Sequence, residues 1–339
     1  MKNSVKSCSK NLSRIKWLYI SAFLLLIFSI IASILSGSTK IDIKEVINAF
    51  SKGFNHSADT KILGYVRLPR TIASILCGSA LAVSGYIIQE VLGNKLASPG
   101  VIGVNSGAGF AVTLCVALNI YGGFRLSLFS FLGAFCSVML VNSGAKKWGG
   151  SKGTVILIGV ALNSLLGAAS DTIITFIPEV GVMSNDFKVG EFSAVTYNKL
   201  LPASILIILA LFFTLTLSNE LEVLSLGENT AKSLGMNTSA MRFLFLTLTA
   251  LLAGCAVSIA GLLSFVGLIV PHIVRRLAKT KALHLILLST VFGGGFVCLC
   301  DTVARTVFAP YEIPVGIIMA FIGAPFFLFI LIKGGGKND

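Results

Sequence analysis

About ten runs of apolar residues, most near twenty long, divide this chain and leave its charge in the segments between them. A bilayer core of about 30 Å takes about 20 residues of helix, so the runs read as membrane-crossing helices. Only helices and closed barrels satisfy every backbone group in lipid. Uninterrupted runs such as Phe23–Ile34 and Leu200–Leu217 exclude the short alternating strands of a barrel. Charged residues make up 12% of the chain, against about 25% in soluble domains. The expectation is an all-α polytopic membrane protein, with residues 1–339 forming one transmembrane domain.

The spans are expected at Trp17–Leu35, Thr71–Leu92, Pro99–Ile120, Phe124–Val141, Thr154–Ile177, Leu200–Leu217, Arg242–Ala260, Leu262–Val274, Leu283–Val303 and Val315–Ile332. The first run is longer than the 7–15 apolar residues of a signal peptide and lacks a small-x-small cleavage site, so it is expected to stay as a helix after a basic tail, 1–16. The apolar stretch 243–274 is too long for one straight span and too short for two. Gly261 and Pro271 break it, and a short helix is tolerated where backbone is buried in protein or lines a cavity. Ser36–Arg70 and Pro178–Lys199 read as polar connections. Gly293-Gly294-Gly295 reads either as a hinge or as a close helix crossing.

One polar segment has no structural need to exist. Ser218–Arg242 joins two spans that a short turn would connect, and it carries three acids, two bases and two Leu-Gly steps. With ten spans and the N-terminus inside, 17 of the 27 bases fall on the inner side, as the positive-inside rule requires. Both termini and 218–242 are then cytoplasmic.

The net charge of +13 does not indicate nucleic acid, because the bases punctuate the spans instead of clustering on a soluble face. The cysteines lie mostly within apolar runs and read as packing residues. No Walker A sequence occurs. Gly149–Thr154 echoes one with the wrong spacing, and Gly103, Gly107 and Gly109 lack a strand–turn–helix setting. His56, His272 and His284 form no metal constellation, and no nucleophile, catalytic set or cofactor motif is present.

Arg67-Leu-Pro-Arg70 stands at the outer mouth of the second span, its two arginines three apart on one expected helical face. Arg305 lies four residues after Asp301, within pairing reach. These arginines read either as snorkelling anchors or as a positive rim for an acidic partner. Asp171 is the other ionisable residue deep in an apolar run, two turns after Asn163. Such residues usually face a cavity or a partner, which makes Asn163 and Asp171 path-lining candidates and Asp301 a structural partner of Arg305.

Four blocks carry a resemblance. They are Arg67–Arg70 with Gly78–Gly85 and Gln89; Asn94–Ala108; Leu226–Gly235 continuing through Ala260–Arg275; and Asp301–Arg305 with Glu312–Gly316 and Gly323-Ala-Pro-Phe. Together, over about residues 15–332, the chain resembles the permease subunits of the iron-chelate and vitamin B12 class of ATP-binding-cassette importers. Lys95 and Ser98 depart from that family, which has proline and an acid there.

The resemblance implies a type II importer fold of ten helices, with two permease subunits around a central path in the prokaryotic cell membrane. It also implies two cytoplasmic ATPase subunits and an outer substrate-binding protein. Arg67, Arg70 and Arg305 would meet acids on that binding protein. Leu226, Gly227, Glu228, Ala231, Lys232, Leu234 and Gly235 would couple to the ATPase, with Glu228, Asn229 and Lys232 exposed for contact. The fifth and eighth helices and the 2–3 connection would line the path. Ferric siderophores, haem and cobalamin all fit as cargo. The competing class is a proton-coupled transporter working through Asp171 and Asp301.

Overall fold

The computed structural model describes residues 2–37, 39, 41–54, 57–148 and 151–335. His56, Gly149, Gly150 and Lys337 lie outside them. In chain order the helices are α1 (Lys2–Leu35), α2 (Ile43–Lys52), α3 (Ala58–Ile62), α4 (Leu68–Leu92), α5 (Val104–Ala117), α6 (Gly123–Lys147), α7 (Lys152–Phe176) and α8 (Pro178–Met183). They continue as α9 (Asn185–Val189), α10 (Tyr197–Thr216), α11 (Ser218–Ser225), α12 (Glu228–Ser233), α13 (Thr238–Ala260), α14 (Val266–Ala278), α15 (Ala282–Thr306) and α16 (Val315–Gly335). Among the described residues, seven helical segments are long and apolar enough to cross a membrane. The shorter α5 and α14, with the apolar Val315–Ile330 part of α16, supply the rest of the expected spans.

The bundle is built around α4. Of its most apolar window 83% is buried, against 17% for α1 and α7, which lie at the periphery. Its small residues let neighbouring backbones touch. A Cβ added at Gly85 would stand 1.9 Å from the carbonyl oxygen of Gly267 in α14, and one at Gly78 would stand 2.2 Å from that of Gly293 in α15. The Gly293–Gly295 triplet therefore marks a close crossing. α15 runs through it unbroken.

Several expected boundaries move for identifiable reasons. The second span begins well before Thr71, because α3 runs into α4 through one π turn, Leu63–Arg67. Leu68 N–H donates to Leu63 O across that turn, which leaves Gly64 O free to accept from the Tyr197 hydroxyl of α10 at 2.8 Å. Pro69, with no N–H, sits in the first turn of α4, where none is needed. The third span divides at Gly103 into a 3₁₀ turn, Pro99–Ile102, and α5. The polar connections 36–70 and 178–199 hold the short helices α2 and α3, and α8 and α9.

The expected eighth span starts later than Leu262. Residues 261–265 are unwound, and α14 begins at Val266. Its neighbour α9 satisfies this exposed backbone. Leu262 N–H donates to Phe187 O at 2.9 Å, and Glu191 N–H donates to Ala260 O at 2.8 Å. Phe265 takes a left-handed φ of 66°, and its ring covers Gly323 of α16.

Candidate functional site

Three features at different heights of the bundle concern function. The first is the α11–α12 segment at one end. It is not a loop but two short helices, each closed by a Leu-Gly step. Gly227 and Gly235 take φ of 109° and 82°, values a side chain would strain. After α12, Gly235 N–H donates to Lys232 O at 2.9 Å and Met236 N–H to Ala231 O at 3.0 Å, the paired bonds of a left-handed helix stop.

The segment is strapped to the bundle at both helices. Leu221, Leu224 and Ala231 are buried. Glu222 Oε2 accepts from Ala282 N–H at 3.1 Å, capping the start of α15. Glu228 pairs with Arg242 of α13 at 2.7 Å and with Lys232 at 2.9 Å. Glu228 is therefore half-buried and turned toward α13, contrary to its expected free exposure, whereas Asn229 and Lys232 are exposed. Two leucines face outward here, Leu226 at 61% exposure and Leu234 at 64%.

Hydrogen bonds from Lys232 and Arg242 hold the Glu228 carboxyl below the usual glutamate range. A lowered value in the folded state means stabilisation that is present above the ordinary glutamate value of about 4.3 and is lost as pH falls through the lowered one. At this exposure the strap contributes under about 1 kcal/mol. The protection factor of the α12 amides, the intrinsic exchange rate at each pH divided by the observed one, is expected to stay constant from pH 8 to 5 and to fall only below about pH 4. Glu228→Gln is expected to remove that acid limb, which hydrogen-exchange mass spectrometry reads directly.

The second feature lies at the opposite end, where the arginines depart from the expected exposed rim. Arg67, Arg70 and Arg305 are 3%, 5% and 2% exposed, and all three are held by groups of this chain. The backbone from Arg67 to Arg70 is helical, yet the two side chains turn to different neighbours. Arg67 donates to Ile34 O at 2.6 Å and Leu35 O at 3.1 Å, a cation closing the carbonyl end of α1. Arg70 reaches across to α15. Its Nη2 stands 2.9 Å from Asp301 Oδ1, and its Nη1 stands 2.6 Å from Glu312 Oε2. Arg305 Nε lies 3.3 Å from Asp301 Oδ2. Its Nη2 donates to Ser33 O at 3.0 Å and Ser33 Oγ at 2.7 Å. The cluster thus ties α1, α4, α15 and the segment before α16 together.

The third feature is α7. Asn163 does not face open space. Its Nδ2 donates to Gly100 O at 3.0 Å, and its Oδ1 accepts from Ser106 Oγ, so it holds the turn that leads into α5. That turn and residues 263–268 enclose a cavity of 230 Å³ lined by Ser98, Asn105 and Phe265 among others. The 2–3 connection and the broken start of α14 are in this way brought together. Asp171 is exposed.

Of the ion pairs described, sequence reasoning found only Asp301 with Arg305, and two of those it missed show why. Glu312 and Arg70 are 242 positions apart, and no local spacing connects them. Glu90 and Arg275 pair at 2.8 Å, with the Arg275 guanidinium 5.5 Å from the centre of the Tyr86 ring. Charges at the inner ends of two different spans were the only signal for that second pair.

Comparison with known proteins follows the same lines. The FecCD transport family model matches residues 25–333. The Fe(3+)-citrate import system permease protein of Bacillus subtilis is 31% identical, over 94% of this chain and 95% of its own length. The iron(3+)-hydroxamate import system permease protein of the same organism is 32% identical, over 92% and 95%. A solved metal-chelate type ABC transporter in an inward-facing conformation superposes with a TM-score of 0.82 at 30% identity, covering 94% of this chain and 99% of that one. The fold matches that transporter over nearly the whole of both chains, and the chain belongs to the FecCD transport family.

Proposed function

We propose that the chain is the membrane-crossing subunit of an ATP-driven importer of ferric chelates. It works with a second permease subunit, two cytoplasmic ATPase subunits and an outer substrate-binding protein. The observation that carries this reading is the α11–α12 platform. Two half-helices held to α13 and α15 present Leu226 and Leu234 to solvent, and such a paired apolar display is suited to a groove on another protein. With no Walker A sequence in this chain, the nucleotide chemistry belongs to that other protein.

The distribution of Lys and Arg supports a cytoplasmic position for the platform and the termini, and hence an outer position for the arginine cluster. Arg67, Arg70 and Arg305 then fix the helix ends beneath the face where the binding protein docks, and do not act as free docking charges. Ferric citrate, ferric hydroxamate and haem are each named for relatives of similar identity, which supports iron chelates as the cargo class, haem included. The permease supplies a route and makes or breaks no bonds.

The test is reconstitution in vesicles with the ATPase and binding protein of the same system. Uptake of radiolabelled ferric chelate is expected to require ATP and to stop with vanadate. Uptake driven by a proton gradient without the ATPase subunits would overturn the reading.

A further inference from the structure

The outer half of α7 carries an acid that nothing among the described residues answers. Asp171 is exposed, and no hydrogen bond or ion pair reaches its carboxyl among the described residues. At about 100° per residue, Ser164, Gly167 and Thr175 fall within about 40° of it on successive turns. The three polar side chains of this flank, Ser164, Asp171 and Thr175, are all exposed. A Cβ added at Gly167 would meet nothing within 4 Å, so the flank borders open space. Leu165 and Phe176, at 65% and 81% exposure, lie about 120–140° around the helix.

In its outer half the helix thus has one uncovered side bearing Ser164, Asp171 and Thr175 and another bearing Leu165 and Phe176, with the exposed Thr172 between them; toward the other end Leu157 and Val160, 72% and 51% exposed, make the first side apolar. The apolar side suits lipid. The polar side does not, because a carboxylate facing hydrocarbon costs several kcal/mol, and such groups face water or a partner. No base on α7 offsets it, since its one cation, Lys152, is at the other end of the helix, about 28 Å away. The next helix, α8, adds the exposed Glu179, while Asp186 and Lys188 of α9 offset each other in charge.

We propose that Asp171 makes this flank a cation-preferring wall of a water-filled path, so that neutral or positively charged ferric chelates pass more readily than multiply anionic ones. The inference rests on the importer reading given above and adds the charge class of its cargo. In a low-dielectric channel a fixed charge of one sign enriches its counter-ions by about tenfold or more. A paired subunit would present the same carboxylate from across the path.

The experiment measures the wall without relying on the specificity of a binding protein. Thr175→Cys is made in a Cys136→Ala background, and its modification by cationic and anionic methanethiosulfonate reagents is timed in membrane vesicles. Thr175 is suited to this because its hydroxyl bonds only to its own helix, at Asp171 O. Ser164→Cys serves if that variant is poorly produced, and Leu165→Cys reports the lipid side.

Both reagents are expected to reach Thr175→Cys and to leave Leu165→Cys unmodified. Adding Asp171→Asn is expected to lower the cationic-to-anionic rate ratio about tenfold. A change in thiol reactivity affects both reagents equally and cancels in the ratio. If both reagents react and the ratio does not move, the selectivity proposal falls while the path stands. If neither reagent reaches either polar position, the flank is not a wetted wall, and the placement of the path along α7 falls with it.

Discussion

Arg70→Ala is expected to be among the most damaging single substitutions in the chain, lowering stability by about 3–5 kcal/mol. Asp301 is fully buried and accepts three hydrogen bonds from Arg70. Removing the guanidinium leaves the carboxylate with Arg305 Nε at 3.3 Å, and takes from Glu312 its 2.6 Å bond at the same time. The cost comes from the uncompensated buried charge and not from the worth of the pair. Arg70→Lys, which keeps the cation, should recover part of the loss, whereas adding Asp301→Ala to Arg70→Ala should not, because it leaves the buried Arg305 without its carboxylate. Thermal unfolding of the detergent-solubilised protein checks the ordering. An Arg70→Lys variant no better than Arg70→Ala would show that the cluster does not act through the charge at position 70.

The second large effect is expected on coupling with no effect on the fold. Leu226→Asp/Leu234→Asp should leave the unfolding temperature within a degree or two of the parent, because both side chains are more than half exposed and lie outside the packed core. ATP-driven uptake should fall by more than tenfold. Burying a leucine contributes about 1.5–3 kcal/mol, and about 1.4 kcal/mol is a factor of ten in affinity. ATPase activity measured alongside separates loss of docking from general damage. Undiminished uptake would make the platform a mere linker. Ala231→Glu is a poorer probe than its position in the motif suggests, since Ala231 is buried under α12 and the variant would disturb the helix itself.

The spans were legible because lipid imposes a length and a polarity that few other environments impose. The platform was legible for a related reason: Leu226-Gly227 and Leu234-Gly235 punctuate a polar segment where a membrane protein has no use for one. The arginine cluster was only half legible. Asp301 and Arg305 are four apart on one helix, so spacing alone paired them. Arg67 and Arg70 are three apart, and spacing put them on one face. Their long side chains reach different partners, Arg67 the end of α1 and Arg70 the acids of α15 and the segment after it, which spacing along one helix does not encode. Asn163 looked like a free polar group because its partners, Gly100 and Ser106, come from another helix and a turn whose placement only the fold determines.

The backbone contacts of α4 have a consequence for motion. Where Gly85 meets Gly267 and Gly78 meets Gly293, no side chain stands between the helices to change rotamer and take up slack. α4, α14 and α15 must then travel as one stiff block, like a keyed shaft. A displacement applied at α11, which caps α15, would reach the far end of the bundle undiminished. Compliance is left to the peripheral α7 and the unwound residues 261–265, so conformational freedom is concentrated away from the axis.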